Sequence, residues 1–468
     1  MKTSIVRPTQ VRAGSKASFS RRTVSRGIKT LLLSVVSGFM LGVSAVSVQA
    51  EPELPHYSGQ ARLGSQTCGG STCHGAAKPW ANSAVLQNEF VTWSTDDPHS
   101  GAYKALSSDR GKRIAKNLGI EDARQEKVCL DCHTDNVPKE LQSKNFDIAD
   151  GVGCESCHGG AVEWLGLHVS GFGEREDYLN AGIYPTEDPK ARAKLCLSCH
   201  LSDPRKSITH RIMGAGHPRL AFELDTFTAN QPAHYRIDAD YKQRKQQSSG
   251  VKVWAVGQAM AAQITVEALM DKNRNSAGIF PELFYFDCYA CHHSMEEPRW
   301  EKRESVNIGP GVPRLNDSNL VMLRVLATAV DPAMSATLLD QTRALHESSS
   351  KGQDATLKAL GDLSGTVSSL VDRFAASDFD APAMWKIYDA LVAEGLKGEF
   401  VDLITAEQAT MALGSILAAI EASGASDDLQ GYNDALAKAY TAIDTSEEYT
   451  SCPLYTSHAA ADSFRADP

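Results

Sequence analysis

After residue 50 the sequence has no uninterrupted apolar run of the roughly 20 residues that a bilayer-spanning helix takes, no cysteines to spare for a disulfide framework, and no positive excess. Ten of the eleven cysteines fall in five short motifs and only Cys452 is left over, so a fold stapled by internal disulfides is excluded. Lys and Arg number 47 against 57 Asp and Glu, a net charge of −10. Residues 1–50 hold eight of the cations and no acid, so the remainder carries 39 against 57, or −18. Such a charge argues against nucleic acid as a partner and favours basic patches on other proteins.

The five motifs are the centre of the sequence. Cys129-Leu130-Asp131-Cys132-His133, Cys154-Glu155-Ser156-Cys157-His158, Cys196-Leu197-Ser198-Cys199-His200 and Cys288-Tyr289-Ala290-Cys291-His292 share one spacing, and Cys68-Gly69-Gly70-Ser71-Thr72-Cys73-His74 is a longer variant. Two thiols three residues apart lie on one side of a helical turn, placed to form thioethers to the two vinyl groups of one porphyrin. The histidine that follows then sits under the ring as an iron ligand. Zinc also uses paired cysteines but has no need of a histidine directly after every second one. Five covalently bound haem c groups are therefore expected, with His74, His133, His158, His200 and His292 as proximal ligands. The first site departs in having four residues between its cysteines, a length that Gly69 and Gly70 can absorb in a looser loop.

Export fits this cofactor. Arg7, Arg12, Lys16, Arg21, Arg22, Arg26 and Lys29 precede an apolar run from Leu31 to Val46, and Val48-Gln49-Ala50 ends it with small residues before Glu51. The segment 1–50 reads as a cleavable signal peptide to the periplasm, too short in its apolar part for the alternative of a retained anchor. Ser20-Arg21-Arg22-Thr23 hints at the twin-arginine route. That route carries folded cargo, whereas haem c is joined to an unfolded chain outside the cytoplasm.

Residues 51–305 read as the haem-bearing domain, mainly α with little regular sheet. Only 25 residues separate Cys129 from Cys154 and 42 separate Cys154 from Cys196, so porphyrins rather than side chains are expected to fill the interior. Helices are expected near Trp80 to Trp93, over 104–120, from Lys127 to Asp135 and from Val251 to Asp271. The run Ile308-Gly309-Pro310-Gly311-Val312-Pro313 marks a boundary. Beyond it, 315–448 is alanine-rich, with apolar residues at helical spacing such as Val367, Leu370, Val371 and Phe374, and reads as an antiparallel helical bundle. Residues 449–468 break the pattern and read as a disordered tail.

Nine histidines lie outside the motifs: His56, His99, His168, His210, His217, His234, His293, His346 and His458. Of these, His99, His168, His210, His217 and His234 are the candidate distal ligands, one for each haem. His217 stands out in Gly214-Ala215-Gly216-His217-Pro218, where glycine before and proline after define how one imidazole is presented. His293 follows a proximal ligand directly and is expected to point away from its own haem, while His346 and His458 read as structural or exposed. Filled axial positions make an electron carrier; one open iron would permit small-molecule chemistry.

Gly151-Val152-Gly153-Cys154-Glu155-Ser156-Cys157-His158-Gly159, with His168 ten residues after His158, resembles the third haem site of the tetrahaem cytochrome c-554 family of the hydroxylamine-oxidation pathway. The order matches as well, from a first motif through Trp93 and His99 to a second motif and then Cys196 to Leu201, so that the likeness runs over roughly residues 60–240. The resemblance implies that His168 ligates the haem of His74, that His99 ligates the haem of His158, and that His200 takes a later histidine such as His234. It further implies that the second haem, that of His133, has no distal protein ligand. The expanded first motif, the fifth motif, the Gly-Ala-Gly-His217 segment and the helical C-terminal third have no counterpart in that family.

The reading is a periplasmic multihaem c-type cytochrome moving electrons through closely packed, mostly bis-histidine haems. Its partners are expected to be other c-type cytochromes or a membrane quinol-oxidising complex. One alternative is an oxidoreductase acting on a small nitrogen or sulfur oxyanion at a five-coordinate haem on His133, with Arg211 and Arg219 as anion-binding groups. Another is an electron-transfer subunit of a larger complex, docked through its helical third.

Overall fold

The computed structural model describes residues 52–444 apart from 245–246, 272–273, 275–278, 293–302, 304, 307 and 427. The expected signal peptide, His293, Cys452, His458 and the tail lie outside the described residues. From residue 52 the fold is mainly helical, with one two-stranded antiparallel sheet pairing Ser202 with Ser207 and Asp203 with Lys206.

Apolar side chains are distributed very unevenly along this chain. Up to about residue 220 the chain has two small clusters of four buried residues each, Leu54, Tyr184, Ala191 and Leu195, and Leu106, Ala115, Ala123 and Leu130, while Ala193 and Leu197 join the larger core. Cys157 packs against the first of these and Cys129 against the second. The extensive core lies around the Gly250–Met270 helix, which is apolar and buried over most of its surface, with Lys252, Gln263 and Glu267 on its more open side. Ser249 caps it by accepting from the Lys252 amide at 3.3 Å. Gly257 permits the closest crossing, because a Cβ there would lie 2.6 Å from that of Leu224.

Around this helix pack Ser318–Val330, Gln353–Ala376 and Leu403–Ser423, and also Pro189–His200, the helix that ends in the fourth motif. The Gly250–Met270 helix, which falls in 51–305 by sequence, thus shares one core with the helices of 315–448. Leu403–Ser423 is long and apolar enough to cross a membrane by composition, but its Ala412, Ile416, Leu417 and Ile420 are buried in that core. A buried amide chain crosses the same core: Asn319 donates to Gln258 at 2.7 Å, Gln258 to Gln408 at 2.6 Å, and Gln408 to the Phe222 carbonyl.

Two helix expectations shift. The stretch from Trp80 is turns, with Gln87 at φ 60°, and the helix covers only Glu89–Asp96. The 104–120 stretch is broken at Ser107 and Ser108, and the Ser108 hydroxyl starts a new helix, Asp109–Leu118, by accepting from Gly111 at 3.1 Å.

The fifth motif is tied to the helical third by a strand-like bridge and by ions. Phe286 pairs with Leu315, and the Asp287 amide donates to the Arg314 carbonyl at 2.8 Å. The Arg314 guanidinium then joins Asp287, at 2.8 Å, to Asp402, at 3.1 Å. Arg303, almost fully buried, extends the network to Asp317, Glu399 and Asp402, and fully buried His346 donates through Nε2 to Asp317 at 3.1 Å. Burial alone would raise the Asp317 carboxyl; Arg303 and His346 outweigh it and hold the group far below the ordinary range. A carboxyl depressed in the folded state contributes stability that is complete above its unfolded value and decays as pH falls below it.

Removing the Arg303 charge leaves buried carboxylates unpaired, so Arg303→Met is expected to cost about 3–5 kcal/mol in chemical denaturation. Asp317→Asn is expected to flatten the loss of stability between about pH 5 and pH 2 relative to the unsubstituted protein. Equal acid slopes in the two proteins would show that the Asp317 pairing contributes nothing.

Candidate haem centres

Each motif is presented as a tight turn ending in its histidine. Lys127–His133, Cys154–His158 and Pro189–His200 are helices whose final residue is the motif histidine. In the fifth site the His292 amide donates to the Cys288 carbonyl at 2.8 Å, closing one turn. The expanded first site keeps that closure. The His74 amide donates to the Cys68 carbonyl at 3.1 Å, with the two extra residues looped out through a Cys73 to Gly70 turn of 2.8 Å. Gly75 is required there, since a Cβ would meet the Gly69 carbonyl oxygen at 2.0 Å.

Opposite the motif histidines stand histidines from elsewhere in the chain. The His74 and His168 rings lie 5.9 Å apart between centroids and nearly parallel, at 13°. His99 and His200 are 6.1 Å apart at 90°, His133 and His217 are 6.4 Å apart at 83°, and His210 and His292 are 5.9 Å apart at 23°. An imidazole nitrogen binds a metal at about 2.0–2.1 Å, so two rings on opposite sides of one iron have centroids about 6 Å apart. The residues present therefore fit bis-histidine haem: a paired set of imidazoles with two cysteines beside each pair. Zinc sites gather three or more ligands, and no such group of His, Cys, Asp or Glu occurs among the described residues.

Hydrogen bonds fix which nitrogen faces inward. His74 Nδ1 bonds Glu89 at 2.8 Å, His99 Nδ1 bonds Asp97 at 2.8 Å, and His133, His217 and His234 bond the carbonyls of Ala102, Pro218 and Pro232 through Nδ1 at 2.8, 2.8 and 2.6 Å. A carbonyl or carboxylate accepts only from a protonated Nδ1, which makes Nε2 the lone-pair nitrogen that a metal requires. His346, by contrast, turns Nε2 to Asp317 and receives the Leu315 amide on Nδ1. It is a structural residue.

Local charges sort the rings further. Hydrogen bonds to Glu89 and Asp97 raise His74 and His99 above the usual imidazole value, whereas burial lowers His168, His200, His217 and His292. His158, enclosed and next to His234, His74 and His168, is pushed down to about 4, mainly by burial. A buried ring kept neutral is ready to bind a metal.

These positions bear on the pairings implied by resemblance. His168 does face His74. His99 faces His200 rather than His158, and His234 is among the histidines whose charge acts on His158. Asp97 holds the His99 ring and also accepts from Gln231 at 3.0 Å, which draws the 231–234 loop alongside. At the second site, in place of the implied open position, His217 stands opposite His133. Neither arginine considered for oxyanions is directed to such a role: Arg219 pairs with Glu407 at 2.6 Å and Arg211 donates to the Leu118 carbonyl at 3.1 Å.

Sequence reasoning did not find the supporting residues. Glu155, between the cysteines of the third motif, is buried and accepts from the amides of Leu63, Gly64 and Ala161 at 2.9, 2.7 and 2.7 Å, fastening the N-terminal arm to that motif. Arg62, 1% exposed, pairs with Asp135 at 2.9 Å and donates to the Pro55 and Gln60 carbonyls. Only Asp97 carried a local signal, lying two residues before His99 in a turn where it also accepts the His99 amide at 3.0 Å.

Attachment turns that end in ligand histidines, with imidazoles set opposite them, are the apparatus of a c-type cytochrome. Residues 67–159, which span the first three motifs, match the model of the cytochrome c554 and c-prime family, so this segment is similar to c-type cytochromes of that family, in keeping with covalent haem c and electron transfer. No curated protein and no solved structure matches the chain.

The carboxylates behind His74 and His99 would, with haem bound, make these rings stronger electron donors and favour the oxidised state. Glu89→Gln and Asp97→Asn are each expected to raise one midpoint potential by tens of millivolts in a redox titration, leaving the other midpoints in place. Unmoved potentials in both variants would show that the two carboxylates only hold ring orientation.

Proposed function

We propose that this chain is a periplasmic pentahaem electron conductor in which every iron is held between two histidines. The observation that carries this reading is the set of opposed imidazoles at about 6 Å, each combining a motif histidine with a histidine from outside the motifs. The fifth pair in this reading is His158 with His234, whose charge, like those of His74 and His168, acts on the His158 ring. Haem so ligated supplies one-electron exchange without a vacant position for substrate. The protein's part is to fix rings through Nδ1, to favour by burial the neutral form of His158, His168, His200, His217 and His292, and to space the attachment turns closely.

Two further features support the reading. Thiols from different motifs touch, Cys68 with Cys154 and Cys132 with Cys199, so the attachment sites lie close enough for exchange between them. The charge of −18 after residue 50 suits redox partners that carry basic patches, among them other c-type cytochromes or a membrane quinol-oxidising complex. The signal-like segment at 1–50 is the basis for the periplasm.

The oxidised protein is expected to show five haems by mass and only low-spin ferric signals in low-temperature electron paramagnetic resonance. His217→Ala is expected to convert one haem in five to high spin, without loss of haem. A high-spin fraction near one in five before any substitution would instead leave one iron open and return the oxidoreductase alternative.

A further inference from the structure

We infer that the short stretch from Thr209 to His217 is a bridge between the second and fifth haem sites, so that the fifth site is an added terminus and electrons cross the chain in the spatial order one, three, four, two, five. This rests on the reading of the paired imidazoles as axial ligands.

The bridge begins with the His210–Gly214 helix, capped by the Thr209 hydroxyl, which accepts from the Ile212 amide at 3.3 Å. Its first residue, His210, stacks opposite His292 of the fifth motif, and His217, seven residues later, stands opposite His133 of the second. The two ligand positions are thus joined by one short helix and a turn. Gly216, at φ 111°, turns the backbone between them in a conformation that side chains disfavour.

Both sites grip this stretch. On the second-site side, Asn117 donates to the Ala215 carbonyl at 2.9 Å and Arg211 donates to that of Leu118 at 3.1 Å. Both partners belong to the Asp109–Leu118 helix, whose Ala115 packs in one cluster with Leu130 of the second motif. On the fifth-site side, Glu282 accepts the His210 amide at 3.1 Å and also caps the turn at Leu283–Tyr285 that leads to Cys288.

The remaining order follows from contacts between motifs. The first and third sites meet at Cys68 and Cys154. Between the third and fourth, Cys157 packs on the cluster that contains Leu195 of the fourth motif's helix. The fourth and second meet at Cys199 and Cys132, where Lys206 Nζ lies 3.0 Å from Cys199 Sγ and 2.7 Å from the Asp131 carbonyl. Of the ten motif cysteines, the two that are exposed are Cys73 and Cys291, and they belong to the two end sites. Transfer along this path moves one electron from a ferrous to a ferric iron, with no bond made and no proton taken up. One-electron redox proteins supply and remove it at sites one and five.

The test is the pattern of spin coupling in the fully haem-loaded, full-length protein. In the oxidised state, His210→Ala makes the fifth iron high-spin while its thioethers hold it in place. The signal of the second site, identified by its conversion to high spin in His217→Ala, is then expected to relax faster, with first-site and third-site signals unchanged. The pair Cys288→Ala and Cys291→Ala removes the fifth haem and is expected to narrow the second-site signal alone. Changes confined to the first or third site, or no change at all, would overturn the bridge. Fewer than five haems, or a high-spin iron in the unsubstituted protein, would sink the paired-ligand reading instead.

Discussion

Opposed imidazoles are the constraint on which the rest of this structure depends. Two rings at about 6 Å fit one iron, and they do so only if each ring is turned with Nε2 inward. In this chain the turning is done from behind, by Glu89, Asp97 and the carbonyls of Ala102, Pro218 and Pro232, each bonded to an Nδ1. The loops that carry these acceptors have few apolar contacts of their own. They are held instead by buried polar fasteners, notably Glu155 on three backbone amides and Arg62 on Asp135.

The division of labour between the haem-bearing stretch and the helical third follows from where apolar area is available. A chain wrapped around porphyrins buries its side chains against them and has little left for a side-chain core, as the two four-residue clusters show. The extensive core is built on the Gly250–Met270 helix, with the fourth motif's helix packed directly against it. The fifth motif is fastened to the same body through Phe286, Asp287 and the buried arginines 303 and 314. The shared helical core thereby positions the fourth and fifth motifs. A buried ion network suits this task because a misplaced partner leaves a charge without compensation, which penalises alternative positions strongly.

Much of this was legible in the residues, and the illegible part has a common cause. The attachment motifs are local, since cysteine, cysteine and histidine lie close together in sequence, and they could be picked out directly. Helices at Lys127–His133, Gly250–Met270 and through the last third follow from apolar periodicity and caps. The helix expected from Trp80 failed because the turn at Gln87 delays its start to Glu89. The distal histidines could be nominated as a set, but the pairing of His99 with His200 and of His217 with His133 depends on loops folding over distances that the local pattern does not encode.

The sequence alone pointed to covalently bound haem c, because the motif for thioether attachment is local. It also settled the helical character of the chain and its acidity. Tertiary structure alone decided which imidazole meets which, that His217 stands where an open position was implied, and that Glu155, Arg62 and Arg303 act as fasteners. Those outcomes are contacts between residues tens to more than a hundred positions apart. They arise when loops close over one another, and no local spacing records them.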